Sequence, residues 1–445
     1  MLNYKKPKSA EKPLTFDKIK EYYLSSSKND LKFGLEYERL SLDKNSFKNA
    51  PYERIEKIIK TFANVKGWGL LYDDKTLIGT MGEGSSISLE PGCQIELSLK
   101  PCSAICEIEK HTKEICNLLD RIAKFYDVEF LPAGISPFST YQNIEILKKK
   151  RYEIMAGYLP YFGKFAPVMM RETAGVQLNI DYKSESDAIE KIKMLNFIAP
   201  YLTGFFANSP VRNNKITNYK SFRALAWKYT GKNRCNTFYK NLLNNPRANF
   251  DDYINAILDV PMLFIERGNE KINITGNIAK ISERITFRDF MKFGYGEYSA
   301  TFNDYILHSS LCFPDIRLKN CIEIRNHDSQ NIEMTLALCA FYKGILSAQS
   351  DEIMQYFKGH TTDDIENAGF LAAKSGVDFK YKNIDAKTFV KKLFEISYSN
   401  LNQDEKRYLN CAFELLNDGR CPADKIIEAN VKNAKELVQY LKKGK

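Results

Sequence analysis

The stretch Phe33-Gly34-Leu35-Glu36-Tyr37-Glu38 alternates large apolar residues with glutamate, and that alternation decides the fold class. A period of two belongs to a β-strand, so Glu36 and Glu38 share one face while Leu35 and Tyr37 share the other. Three further stretches repeat the arrangement. In Ser88-Leu89-Glu90-Pro91-Gly92-Cys93-Gln94-Ile95-Glu96-Leu97, Gln94 and Glu96 face away from Ile95 and Leu97, and Glu90 precedes a Pro-Gly break. Val176-Gln177-Leu178-Asn179-Ile180-Asp181 alternates strictly, as does Ile322-Glu323-Ile324-Arg325. Taken singly, each reads as a half-exposed strand. Glutamate is depleted in strands, however. Five carboxylates (Glu36, Glu38, Glu90, Glu96 and Glu323) on strands able to pair side by side repel one another unless cations sit among them. Hard divalent ions such as Mg²⁺ take oxygen ligands and bridge to substrate phosphates. The pattern points to a metal–nucleotide platform on a sheet.

Outward from these strands, apolar spacing predicts helices over 16–26, 52–62, 104–125, 144–157 and 186–195, the last opened by Ser184 or Ser186 as N-cap. Strands are expected at 32–41, 69–71, 76–78, 86–99, 128–135, 173–182 and 317–325. From about 331 onward the pattern is helical, with segments at 389–398, 403–417 and 422–441. Strands separated by helices without regular βαβ alternation favour an α+β fold with an antiparallel sheet. The whole chain is expected to form a single catalytic unit, a core over 14–346 followed by a helical carboxy-terminal part over 347–445.

Composition excludes several classes. The 445 residues are 44% hydrophobic and 27% charged, which excludes a disordered or collagen-like chain. A net charge of +10 is mild for this length. The basic run Lys148-Lys149-Lys150-Arg151 is short and reads as a solvated face, so no nucleic-acid partner is expected. The apolar stretch 195–207 is broken by Asn196, Pro200 and Gly204 and is too short to span a bilayer, so no membrane partner is expected either. The N-terminal 16 residues are basic and lack the apolar core of a secretory signal. Ten cysteines without a CxxC pair suggest reduced thiols and a cytoplasmic protein. Gly79, Gly82 and Gly84 resemble a phosphate loop only loosely, because no Gly-Lys-Ser/Thr follows. Arg151, Arg223, Arg234, Arg317 and Arg325 all lie beside aromatic or apolar residues, where guanidinium forks clamp carboxylates and phosphates.

From about Pro13 onward the chain resembles the glutamate–cysteine ligases of the plant and proteobacterial type. The resemblance rests on Gly34-Leu-Glu36-Tyr-Glu38, the run from Ser86 to Ser98, Arg151-Tyr-Glu-Ile-Met155 and Val176 to Asp181. It continues through Ala207-Asn-Ser-Pro210, Ser221, Arg223, Trp227, Leu258-Asp-Val-Pro-Met262, Phe313-Pro-Asp-Ile-Arg-Leu-Lys319 and Glu323-Ile-Arg325. It implies a glutamine-synthetase-like fold whose antiparallel sheet forms a funnel lined by carboxylates. It also implies ATP and Mg²⁺ as cofactors, with glutamate, cysteine and ATP as the small-molecule partners of a monomer or homodimer. Glu36, Glu38, Glu90, Glu96, Gln177 and Glu323 are implied as metal ligands. Arg151, Arg223, Trp227 and Thr173 are implied as the glutamate pocket, Arg325 as the group at the transferring phosphoryl, and Arg234, Arg317 and Lys319 as the nucleotide side.

The reaction so implied activates the γ-carboxylate of glutamate as an acyl phosphate, which the amine of cysteine then attacks to give γ-glutamylcysteine. A relative with another amine acceptor, or a silent binding protein on the same fold, is the alternative. Three departures from the family's usual pattern accompany the match. Arg171-Glu172-Thr173 stands for Leu-Arg-Thr, Leu263 stands where plant enzymes commonly carry Tyr, and Asn326-His327 replaces Gly-Ala. No cysteine lies in 273–297, so no redox switch is expected there.

Overall fold

The computed structural model describes residues 13–268, 270–275, 284–429 and 433–443. The basic amino-terminal residues 1–12 lie outside the described residues, as do 276–283 of the segment without cysteine.

Seven strands come first in the chain: β1 (Phe33–Asp43), β2 (Gly69–Asp73), β3 (Thr76–Gly82), β4 (Ser85–Leu89), β5 (Ile95–Ser98), β6 (Val128–Leu131) and β7 (Gly175–Ile180). Two small hairpins follow, β8 (Val211–Arg212) with β9 (Lys215–Ile216), and β10 (Phe264–Arg267) with β11 (Glu270–Asn273). The strands β12 (Ile316–Leu318) and β13 (Ile322–Asp328) then complete a nine-stranded sheet in the order β12-β13-β7-β1-β5-β4-β3-β2, with β6 also paired to β1. Every strand pair in it is antiparallel.

Register brings the carboxylates together. Glu36 stands opposite Gln177 of β7, Glu38 opposite Glu96 of β5, and Glu323 opposite Asn179 of β7. Because side chains alternate, the apolar partners point to the other face, where Leu35, Tyr37, Ile95, Leu97, Leu178 and Ile324 are buried. Helices cover that face. The helix Ile105–Phe125 buries Ile105, Ile108, Ile115, Leu119 and Ile122 at helical spacing. The helix Ile332–Ile345 is buried nearly all round, as befits an element packed between the helices Ile105–Phe125 and Ala386–Ser399.

Several expected elements differ. The helix expected at 144–157 begins only at Lys150 and ends at Tyr158. The strand expected over 86–99 is broken at Pro91-Gly92, where Cys93 takes φ +61°. Gly92 is required there, since a Cβ at this position would stand 2.4 Å from the Arg171 carbonyl oxygen. The strand expected over 317–325 is a hairpin, turning between Leu318 and Ile322. The helix opened by Ser184, whose side chain accepts from Asp187 N, runs far past 195, to Phe205. It passes through Pro200, which apolar packing along the whole helix tolerates. Segments 403–417 and 422–441 are each split into shorter helices. No helix among the described residues is long and apolar enough to cross a membrane.

Candidate active site

The polar face of β1, β5, β7 and β13 forms one wall of a cavity of about 290 Å³. Glu36, Glu38, Glu90, Glu96, Gln177 and Glu323 line it, together with Arg151, Arg223, Trp227, Thr173, Arg317, Lys319 and Arg325. All the residues expected at the site therefore meet in one place, with one exception.

Arg234 is the exception. It is fully buried away from the cavity, donating to the carbonyls of Leu311 and Pro261 at 3.0 and 2.6 Å, with its guanidinium over Tyr158. Its aromatic neighbours belong to the core, and its role is to tie two loops together.

The carboxylates fall into two groups with different electrostatics. Glu323 accepts from Arg317 through Nε at 2.5 Å and Nη2 at 3.0 Å, from Lys319 Nζ at 2.7 Å and from Arg325 Nη1 at 3.1 Å. Although burial pushes it up, Arg317, Arg325 and Lys319 hold its carboxyl well below the usual range. Three cations already surround this glutamate, so it anchors basic side chains rather than lacking charge. Arg317 is committed the same way, its Nη1 donating to the carbonyls of Ser310 and Cys312.

The other group is under-compensated. Burial pushes the Glu38 carboxyl up to about 7, with Glu90 adding repulsion. Burial also raises Glu90, and it raises Glu96 well above the usual range with Glu36, Glu90 and Glu38 contributing. Among the described residues, Glu36, Glu38 and Glu96 have only neutral donors at hydrogen-bond distance. Asn179 Nδ2 serves Glu36 at 2.8 Å, Gly175 N and Gln177 Nε2 serve Glu38 at 2.6 and 3.0 Å, and Ser88 and Ser98 serve Glu96 at 3.0 and 3.2 Å. Gln177 is engaged at both ends, since its Oε1 accepts from Arg325 at 2.5 Å. Among the described residues no three acidic, His or Cys side chains already converge as a ready-made ion cage. The donor set is nonetheless all oxygen and carries excess negative charge, which suits hard divalent cations brought in with a phosphate.

Arginines complete the lining, Arg151 and Arg223 from helices and Arg325 from the sheet itself. Arg151 Nη1 and Nη2 donate to the hydroxyl and carbonyl of Ser310, each at 3.1 Å. Arg223 enters from the helix Phe222–Lys228, N-capped by Ser221, and is 3% exposed. Its Nη2 donates to the Arg325 carbonyl at 3.0 Å, and burial lowers its pKa. Gly175 makes room for it, because a Cβ there would lie 2.4 Å from Arg223 Nη2. Arg325 sits at a register shift of β13 against β7, which aims its guanidinium over the Trp227 ring at 5.8 Å. Thr173 lines the cavity, but its hydroxyl donates back to Met169 O.

Lys149 was missed. The run around it reads as a solvated face, and Lys148 and Lys150 are indeed exposed, yet Lys149 and Arg151 turn into the cavity. Nothing in the sequence marks it, since all four residues of 148–151 are basic. The departures fall elsewhere: Arg171 donates to the carbonyls of Tyr141 and Ile144, and Glu172 pairs with Arg212. Leu263 is fully buried and lines no part of the cavity. His327, in β13, is enclosed beside Tyr342 OH at 2.7 Å, and burial pushes it down to about 3.

A family profile described as glutamate–cysteine ligase family 2 matches residues 32–443. The chain belongs to that family. Membership makes it a ligase, and family relatives resemble it over about four fifths of their length. The chloroplastic glutamate–cysteine ligase of Medicago truncatula is 29% identical over 434 residues, covering 94% of this chain and 82% of the relative. That of Arabidopsis thaliana is 29% identical over 436 residues, covering 94% and 80%. The crystal structure of a Francisella tularensis glutamate–cysteine ligase in complex with AMP has the same fold, with TM-score 0.56 at 12% identity, covering 94% of this chain and 89% of that one. The expected α+β fold with a carboxylate-lined antiparallel sheet thus stands. The cytoplasmic placement expected from the thiols does not, because these curated relatives are named chloroplastic. Free thiols do not discriminate between reducing compartments.

Proposed function

We propose that this ligase joins the γ-carboxylate of glutamate to the amine of cysteine at the expense of ATP, as the first step of glutathione formation. The observation that carries the reading is a single cavity in which under-compensated carboxylates and Arg325 share the sheet wall while Arg151 and Arg223 enter from helices. Attack of a carboxylate on the γ-phosphorus of ATP brings two anions together, so charge must be neutralised on both sides of the transferring group.

Glu36, Glu38, Glu90 and Glu96 hold the divalent cations in this reading. Bound there, Mg²⁺ neutralises the phosphates and offsets the repulsion among these four glutamates. Glu323 and Gln177 keep Arg325 aimed at the phosphoryl group and at the acyl-phosphate oxygens. Arg151 and Arg223 receive the carboxylate of glutamate against the Trp227 wall, and Lys319 lies toward the nucleotide. The amine attacks the acyl carbon, the C–N bond forms as the C–O bond to phosphate breaks, and no side-chain nucleophile is required. Residues 14–346 and 347–445 act as one unit, supported by the packing of the helix Ile332–Ile345 against the helix Ala386–Ser399.

The test supplies purified protein with ATP, Mg²⁺, glutamate and cysteine in all combinations. Phosphate release that needs both amino acids, with γ-glutamylcysteine identified by mass, is the expected result. Release that prefers another amine, or none at all, overturns the assignment.

A further inference from the structure

At the end of β13 remote from Glu323, Asp328 is buried and collects three donors. Its Oδ1 accepts from Ser221 Oγ at 2.9 Å, and its Oδ2 accepts from Ser209 Oγ at 2.6 Å and from Asn208 N at 2.8 Å. Each hydroxyl that donates to Asp328 accepts on its other side. Ser209 Oγ takes Arg223 N at 3.2 Å, and Ser221 Oγ takes Ala224 N at 3.1 Å as the cap of the helix Phe222–Lys228. The carbonyl of Ser209 takes Phe222 N at 3.2 Å. A helix leaves its first amides without internal partners. Here two serines accept from the first three of them, and one carboxylate orients both serines.

A hydroxyl rotates freely, with one proton to give and lone pairs that accept. An ionised carboxylate only accepts, so Asp328 draws both protons toward itself and turns both sets of lone pairs toward the helix amides. Its negative charge also suits the positive end of the helix. Burial raises the Asp328 carboxyl, and Arg223 and the three donors oppose that rise.

Arg223 depends on this arrangement more than its neighbours do. Among the described residues its guanidinium is tied at one point, from Nη2 to the Arg325 carbonyl at 3.0 Å, and its Nε has no partner. Arg317 has four such ties. Where the Arg223 guanidinium stands is therefore set chiefly by where its backbone begins the helix. Burial lowers its pKa, and among its charged neighbours Asp328 does most to oppose the loss of charge.

We propose that Asp328 is the positioning residue for Arg223: through Ser209 and Ser221 it fixes the start of the helix Phe222–Lys228, and so the place at which the guanidinium meets the carboxylate of glutamate. The inference rests on the glutamate reading given above. It gives a role to Ser221 and to Ser209 of the Ala207–Pro210 motif, for which none had been assigned.

The experiment is a double-mutant cycle read on KM for glutamate and for ATP, with Asp328→Asn and Ser209→Ala each made in wild-type and in Arg223→Lys protein. In the wild-type background each should raise KM for glutamate about 10-fold, the scale of one charge-assisted hydrogen bond, with KM for ATP unchanged. In the Arg223→Lys background they should change it little, because the fork they position is gone. Equal losses in both backgrounds, or losses shared by glutamate and ATP, would mark the cluster as merely structural and overturn the proposal. Should Asp328→Asn not fold, Ser209→Ala, which removes a single hydroxyl, carries the cycle alone. Crystal structures of wild-type and Ser209→Ala protein read the cluster without substrate: a displaced Arg223 is expected, and an unmoved one overturns the proposal. A displaced Arg223 beside a wild type with no glutamate dependence would instead contradict the proposed reaction and leave the positioning role standing.

Discussion

Arg317 and Glu323 stand directly opposite each other in the β12–β13 register and join through two hydrogen bonds of 2.5 and 3.0 Å. Their side chains are 8% and 1% exposed, so the pair is buried at the edge of the cavity. It fixes the glutamate that in turn holds Arg325 and Lys319.

The first prediction concerns this pair. Glu323→Gln leaves Arg317 buried beside a neutral amide, and removing one member of such a pair costs about 3–5 kcal/mol. Denaturant unfolding should show that loss together with abolished ligation. A variant of wild-type stability would remove the pair as a structural anchor.

Glu38 behaves in the opposite sense. Its folded pKa of about 7 lies above the value of 4.5 for a free glutamate, so the folded state binds its proton more tightly than the unfolded chain does. That contribution is fully present below pH 4.5 and is lost as pH rises through about 7. In cation-free protein at pH 8, Glu38→Gln is therefore expected to be more stable than wild type by up to about 3 kcal/mol, one pKa unit being worth about 1.4 kcal/mol. Near pH 4 the difference should vanish, and the variant should be inactive throughout. Equal stability of the two proteins across the pH range would contradict the repulsion argument.

Much of this division was out of reach of the sequence. The alternation around Glu36, Glu96 and Gln177 gives the shared face, because period two is a local property of a strand. Which glutamates are neutralised depends on the turn at 319–321, which folds Arg317 and Lys319 back onto Glu323. A single continuous strand over 317–325 hides that contact. Arg234 shows the reverse error, since aromatic neighbours mark a buried guanidinium without telling whether it faces a ligand or two carbonyls. Lys149 sits inside a basic run that reads as solvent-facing, and only the short helix starting at Lys150 turns it inward.

Arg223→Lys replaces a fork with a point charge in a space shaped by Gly175. Steady-state kinetics should show kcat/KM for glutamate falling about 10–100-fold, the scale of one or two charge-assisted hydrogen bonds, with the ATP dependence little changed. An unaltered glutamate dependence would take Arg223 out of the pocket.

The central claim is that the γ-carboxylate of glutamate itself takes the phosphoryl group of ATP in this cavity. Glutamate labelled with ¹⁸O in its γ-carboxylate tests it directly, by mass analysis of the phosphate released on ligation. The account predicts one labelled oxygen in each phosphate, carried over when the amine displaces the acyl phosphate. Unlabelled phosphate accompanying product formation would contradict it.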